Sequence, residues 1–281
     1  MRTGTLGRVT AVAAVVLGSV AGWLGITPTA TSLPQWAPAA SAAIHPGAVM
    51  VTDGAQCTAN FVFTRGTEVF LGYAAHCAGT GGPTDTNGCE AGSLPLGTKV
   101  DIAGATRPGV LVYSSWLAMH EVGERNANAC EYNDLGLVQI DPRDVGRVNP
   151  SIPHWGGPTG LNRTGNPSGS AVYSYGSSEL RLGITLLSPQ SGSSLGTIAG
   201  GWAHPVYTIL PGLFGDSGAA LLDASGRATG VLSTINLAPR PLSTTFVDLQ
   251  RTLAYARMHG MGNVTLANGT QAFNANQLPL G

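Results

Sequence analysis

Short apolar segments separated by clusters of Gly, Pro, Ser and Asn recur through most of the chain, the pattern of many short strands joined by turns. Strands are predicted over 61–63, 69–72, 109–113 and 135–140 in the first half, and over 171–175, 180–188, 219–222 and 229–234 in the second. Between the two groups, residues 141–167 are rich in Pro, Gly, Asn and Arg and lack periodicity, which predicts a crossover. Only after Asp248 does the period change: Leu249, Leu253 and Ala256 recur at helical spacing and Gly260 offers a stop. That stripe predicts one terminal helix with an ordinary core face. Residues 263–281 are polar and weakly patterned and are predicted to form a tail. The class is all-β, with room for one large unit or two small barrels.

The amino end breaks this pattern. Residues 1–8 hold two arginines and no acid, residues 9–26 are apolar with interspersed glycines, and small residues crowd 39–43. The arrangement predicts a secretory signal peptide over 1–43, cleaved before Ala43 or Ile44. An uncleaved anchor is the competing reading, because the apolar run is about long enough to span a bilayer. Only in that case is a membrane partner expected.

Composition removes several classes of function. The formal net charge is −1 and only 10% of residues are charged, with no basic cluster interleaved with aromatics, so nucleic acid is not an expected partner. There is no phosphate loop or dinucleotide fingerprint, and no cofactor is expected. Four cysteines, Cys57, Cys77, Cys89 and Cys130, form an even set that an exported chain would oxidise, with three pairings open. A zinc site is the rival use, but no Cys-x-x-Cys pair or matching histidine spacing is present, and no metal is expected.

The chemistry concentrates in two motifs. Gly215-Asp216-Ser217-Gly218 precedes the apolar run 219–222. A serine hydroxyl is a weak nucleophile unless a base takes its proton and backbone donors hold the oxyanion, and flanking glycines let a carbonyl approach main-chain N–H groups. Alone, the tetrapeptide reads as an ordinary turn. About 140 residues upstream stands Tyr73-Ala74-Ala75-His76-Cys77, whose histidine is of a type that can serve as a base.

Together the two motifs resemble the chymotrypsin-like serine proteases, and the short start 44–47 ahead of Cys57 is similar to the secreted actinobacterial streptogrisins. The resemblance implies two antiparallel β-barrels, at about 44–145 and 165–247, with the active site in the cleft between them and a terminal helix and tail over 248–281. It implies His76 as base, Ser217 as nucleophile and Asp134, which opens the apolar run 135–140, as the orienting carboxylate. The order His, Asp, Ser separates this arrangement from subtilisins and α/β-hydrolases. It further implies bridges Cys57–Cys77 and Cys89–Cys130, an oxyanion hole at the N–H groups of Gly215 and Ser217, and a primary pocket around Pro211, Gly212, Ser233, Thr234 and Ile235. With Pro211 at the pocket base and no carboxylate nearby, small or medium uncharged residues are expected before the scissile bond. A buried Asp216 needs a partner, for which Arg181 is the candidate.

The chain departs from the family pattern at Ala219, where glycine is usual, and at Leu213, where many members carry a cysteine that braces the pocket. There is also no long stretch between the signal and the expected mature start. The function expected is a secreted serine endopeptidase acting on protein or peptide substrates, the oligomeric state being open. The alternatives are a catalytically silent binding module on the same fold, or a secreted esterase using the same three residues.

Overall fold

The structure is a computed structural model that describes residues 34–82, 85–236 and 238–277, together with Met1 and Gly4. Most of the expected signal segment therefore lies outside the described residues. The chain divides into Met1–Thr31 and Ser32–Gly281, and the architecture is that of the second unit. Among the described residues no helix is long and apolar enough to cross a membrane.

The first half is an antiparallel sheet built from β1 (Val49–Thr52), β2 (Ala55–Thr58), β3 (Val62–Arg65), β4 (Glu68–Tyr73), β5 (Lys99–Ile102), β6 (Gly109–Ser114) and β7 (Gly136–Gln139). Helices α1 (Ser115–Val122) and α2 (Ala127–Tyr132) connect β6 to β7. The second half holds β8 (Ala171–Tyr175), β9 (Pro189–Ser194), β10 (Ala203–Thr208), β11 (Ala220–Asp223), β12 (Ala228–Ile235) and β13 (Thr244–Asp248), followed by α3 (Leu249–Ala256) and β14 (Thr265–Leu266). Strands β8 to β13 close into a barrel in the order β10-β13-β12-β11-β8-β9, while the first sheet runs β14-β3-β4-β7-β6-β5-β1-β2. At the seam of that sheet, the link between β2 and β3 bonds both ways: Ala59 N donates to Ala48 O at 2.9 Å, and Asn60 N to Gly72 O at 2.8 Å. No strand falls within the expected crossover, 141–167.

Successive side chains of a strand face opposite ways, so a strand covered on both faces reads as an unbroken apolar run. That is the case in the second half. Leu221, Leu232 and Phe246 pack inside the barrel with Val172 and Val206. Their neighbours Ala220, Leu222, Val231 and Val247 face the other way, into the larger core that also contains Leu249, Leu253 and Ala256 of α3. The helix begins where expected, with Asp248 Oδ1 accepting from Arg251 N at 2.8 Å.

Three expectations change. The run 180–188 is not a strand: it forms two isolated helical turns, Glu179–Arg181 and Thr185–Leu187, and the strand begins after it as β9. Leu180, Leu182, Ile184 and Leu186 face solvent, so apolar content alone is a poor guide here. The segment 109–113 is the expected strand, but after Ser114 the chain turns into α1, a helix that the pattern does not predict. The carboxyl end is also no loose tail. Ala267 N donates to Val62 O, Gly269 N to Pro158 O and Asn274 N to Trp155 O, the first at 2.9 Å and the others at 2.8 Å. Val264 is buried and Phe273 stacks edge-on against Tyr173, so this polar stretch straps both halves with backbone bonds that side-chain pattern does not reveal.

Both expected disulfides are formed, Cys57–Cys77 and Cys89–Cys130, and no cysteine is free among the described residues. Two such bridges fit an oxidising compartment.

Candidate active site

His76 sits on a single helical turn, Ala75–Ala78, directly after β4. The Cys57–Cys77 bridge ties this turn to β2. Asp134 lies between α2 and β7, and its backbone is pinned on both sides by one hydroxyl: Ser115 Oγ donates to Asn133 O at 2.6 Å and accepts from Leu135 N at 3.0 Å. Asn126 caps α2, accepting from Asn128 N at 3.0 Å and Ala129 N at 3.1 Å, and Cys130 anchors the helix to Cys89.

The two side chains meet squarely. His76 Nδ1 lies 2.7 Å from Asp134 Oδ2, and His76 N donates to Asp134 Oδ1 at 2.9 Å. Ser233 Oγ donates to Asp134 Oδ2 at 2.7 Å. The carboxylate side chain is 3% exposed and the imidazole 23%, so the ring can be reached from the cleft while its partner cannot. Burial pulls the His76 pKa down, but the charge of Asp134 and the bond to it outweigh that and leave it above 6.5. Burial pushes Asp134 up, and His76, Ser233 and the His76 backbone N–H together hold it below the usual carboxylate range.

These directions set a pH dependence. A base must be neutral to accept a proton, so the acidic limb of kcat/KM should have its midpoint above 6.5, the ordinary histidine value. The pair itself stabilises the fold with the opposite sense on each side: the His76 contribution is complete below 6.5 and fades as pH rises through its raised pKa. Asp134 contributes above its ordinary value and loses that contribution as pH falls through its lowered one. Asp134→Asn should shift the limb downward and cost activity by about 10⁴, because the imidazole loses its tautomer lock. A pH–rate profile of both proteins checks this, and a limb that stays put in the variant contradicts it.

Ser217 stands on the turn between Phe214 and β11 and lines the same cleft as His76. Among the described residues no hydrogen bond joins Ser217 Oγ to His76; such bonds are often loose in unliganded enzymes. Gly215 and Gly218 have φ of +93° and +88°, conformations that a side chain would strain. A Cβ on Gly218 would sit 2.9 Å from Ala74 N, so glycine also permits the turn to touch the His76 segment. Asp216, Gly218 and Ala219 all spend their N–H groups, on Leu213 O, Leu232 O and Asp216 O. Gly215 and Ser217 have no such acceptor among the described residues, leaving two donors beside the Ser217 side chain.

Asp216 is fully buried and Arg181 nearly so, and the guanidinium Nη2 donates to Asp216 Oδ2. Ser178 N donates to Oδ1 at 3.0 Å, and Leu213 N and Gln190 Nε2 donate to Oδ2 at 2.9 and 3.2 Å. The turn that carries Ser217 is thus held from below by an internal ion pair.

The five pocket residues are dispersed relative to the main cleft. Ser233, Thr234 and Ile235 end β12, pairing with β13 on one side. On the β11 side the register stops at Val231 and the last bond is Gly218 N to Leu232 O at 2.7 Å, so no described strand covers 233–235 there. Gly212 is buried against Thr244 and Leu232, and Pro211 is half-buried. None of the five lines the cleft of about 520 Å³ that holds His76 and Ser217. That cleft is walled instead by Gln56, the Cys57–Cys77 bridge, Trp116, Leu180 and Phe214. The sequence pattern does not mark these residues as cleft walls. Trp116 lies on an unpredicted helix, and Leu180 belongs to a run whose apolar content predicts a strand.

Cys57, His76 and Cys77 cluster closely, but both sulfurs are consumed in the bridge, so the trio offers no thiolate to a metal.

No protein-family model and no curated protein matches the chain. Solved structures do. Protease A of Thermobifida fusca superposes with a TM-score of 0.52 at 19% identity over 80% of this chain and 99% of its own. A glutamic acid-specific serine protease, described as using a histidine triad in substrate binding, gives 0.51 at 18% identity over 80% of this chain and all of its own, a match of 100%. The strand order, the closed second barrel and these neighbours together give the chain the fold of the chymotrypsin-like bacterial serine proteases.

Proposed function

We propose that the chain is an exported serine endopeptidase that hydrolyses protein or peptide substrates through an acyl-enzyme, with a mature form beginning at Ala43 or Ile44. The observation that carries this reading is the array Ser233–Asp134–His76 set beside Ser217, with the N–H groups of Gly215 and Ser217 left without acceptors among the described residues. Ser217 Oγ attacks the scissile carbonyl as His76 Nε2 takes its proton. The developing oxyanion is held by the two N–H groups, each typically worth about 3–4 kcal/mol in the transition state. His76 then hands the proton to the leaving nitrogen, and water repeats the sequence on the ester. Asp134 keeps Nδ1 protonated and stabilises the imidazolium.

The uncovered edge 233–235 suits an extended peptide added as a further strand on the acyl side. Pro211, Gly212 and Thr244 offer no charge to a side chain bound there, and a buried cation without a partner would lose several kcal/mol, of order 3–5. Cleavage after uncharged small or medium residues is therefore expected, unlike the glutamic acid-specific neighbour.

An active-site-directed fluorophosphonate tests the reading. Covalent labelling of Ser217, lost in Ser217→Ala, is the expected result, accompanied by turnover of peptide amides. Labelling with ester turnover alone would make the chain an esterase, and no labelling would make it a binding module.

A further inference from the structure

On the reading that Ser217 and His76 cleave peptides, we infer that this cleft selects the leaving-group side of the substrate, favouring bulky apolar side chains just after the scissile bond and rejecting acidic ones. The placement follows from chemistry. The base that protonates the leaving nitrogen is His76, and the cleft it lines is separate from the strand edge 233–235. Whatever follows the scissile bond must leave past the Cys57–Cys77 bridge, Gln56, Leu180 and Phe214.

Two of those residues are unusually uncovered. Phe214 is 70% exposed and Leu180 57% exposed, although each borders the reacting groups. Phe214 is also held in place, because its carbonyl accepts from Ser178 Oγ while its ring stays free. Leu182, Ile184 and Leu186, which follow Leu180 in the chain, are exposed as well. Scattered exposed apolar residues need no explanation, but two that line the cleft of His76 and Ser217 together mark a binding surface. An apolar side chain laid on Phe214 and Leu180 removes both surfaces from water.

Charge adds the second half of the preference. The cleft is bordered by the carboxylates of Asp85 and Glu179, and no lysine or arginine lines it among the described residues. An acidic side chain entering there meets like charge and finds no cation except the imidazolium, which the reaction already uses.

The test uses internally quenched peptides with one common acyl side, differing only in the two residues after the scissile bond: Leu-Phe, Ser-Gly or Asp-Glu. For the wild-type protein kcat/KM should fall in that order, by about tenfold at each step, the scale on which a pocket discriminates small differences in apolar size. In the double variant Leu180→Ser, Phe214→Ser the advantage of Leu-Phe over Ser-Gly should collapse toward unity. In Asp85→Asn, Glu179→Gln the penalty on Asp-Glu should shrink while the Leu-Phe advantage persists. Because each readout is a ratio within one preparation, a change in folded fraction cancels. Equal rates for all three peptides, or ratios untouched by the variants, would overturn this inference and leave the endopeptidase reading standing. Cleavage of none of them by protein whose Ser217 is labelled by fluorophosphonate would overturn both.

Discussion

Ser217→Ala and His76→Ala should each abolish peptide turnover, with losses on the order of 10⁶, and the double variant should be scarcely slower than either single one. The reason is geometric. His76 is fixed against Asp134 by two hydrogen bonds of 2.7 and 2.9 Å, so its only free ring nitrogen is the one facing the cleft. Without Ser217 that nitrogen has no hydroxyl to deprotonate, and without His76 the hydroxyl keeps its proton. Residual hydrolysis would come from the Gly215 and Ser217 N–H groups acting on a bound carbonyl with water as nucleophile. Steady-state kinetics on purified protein check this. Substantial peptidase activity in Ser217→Ala would place the nucleophile elsewhere, and additive losses in the double variant would show that the two residues do not act together.

Arg181→Leu should destabilise the protein by about 3–5 kcal/mol and lower activity in whatever fraction stays folded. Asp216 is fully buried, so removing its cation leaves an uncompensated charge on the turn that carries Ser217. Three further donors remain, from Ser178, Leu213 and Gln190, and they soften the loss without supplying a charge. Combining Arg181→Leu with Asp216→Asn should recover much of the stability, because the penalty belongs to the unpaired charge rather than to the loss of a net attraction. Urea unfolding at unchanged slope measures both effects. A single variant as stable as the parent would show that the carboxylate is satisfied by its neutral donors alone. The ion pair also bears on maturation. Asp216 has its counter-charge inside the chain, so a processed amino terminus is not required to neutralise it.

Much of this site is legible in the residues themselves. Glycine at 215 and 218 is demanded by backbone angles that other residues avoid, whereas a histidine beside a cysteine is by itself usually structural and takes its expected role from the resemblance. The Cys57–Cys77 and Cys89–Cys130 pairing follows from the resemblance to a known family, since four cysteines alone leave three choices. An internal arginine as the partner of Asp216 follows from the same resemblance, since 14 lysines and arginines leave the choice open by composition. What stays hidden is whatever depends on which face of an element meets which neighbour. Ser233 reads as pocket lining, yet its hydroxyl points at Asp134, 99 residues away in sequence. Leu180 reads as part of a strand and Phe214 carries no sequence signal, yet both stand in solvent in the cleft that Ser217 lines.

The division has a physical basis. Local chemistry is written into the sequence wherever a position has few acceptable residues: the glycines of the Ser217 turn, the cap at Asp248, the alternation that marks strands, the stripe of α3. Tertiary structure alone decided where each strand stopped and which polar group met which. A short apolar run carries the same period-free signal whether it is a buried strand, like 219–222, or an exposed pair of turns, like 180–188. A polar tail gives no side-chain sign that its backbone N–H groups will find acceptors on Val62, Pro158 and Trp155. Those outcomes depend on long-range backbone bonds and on solvent exclusion, which are properties of the assembled fold and leave no periodic trace in the order of residues.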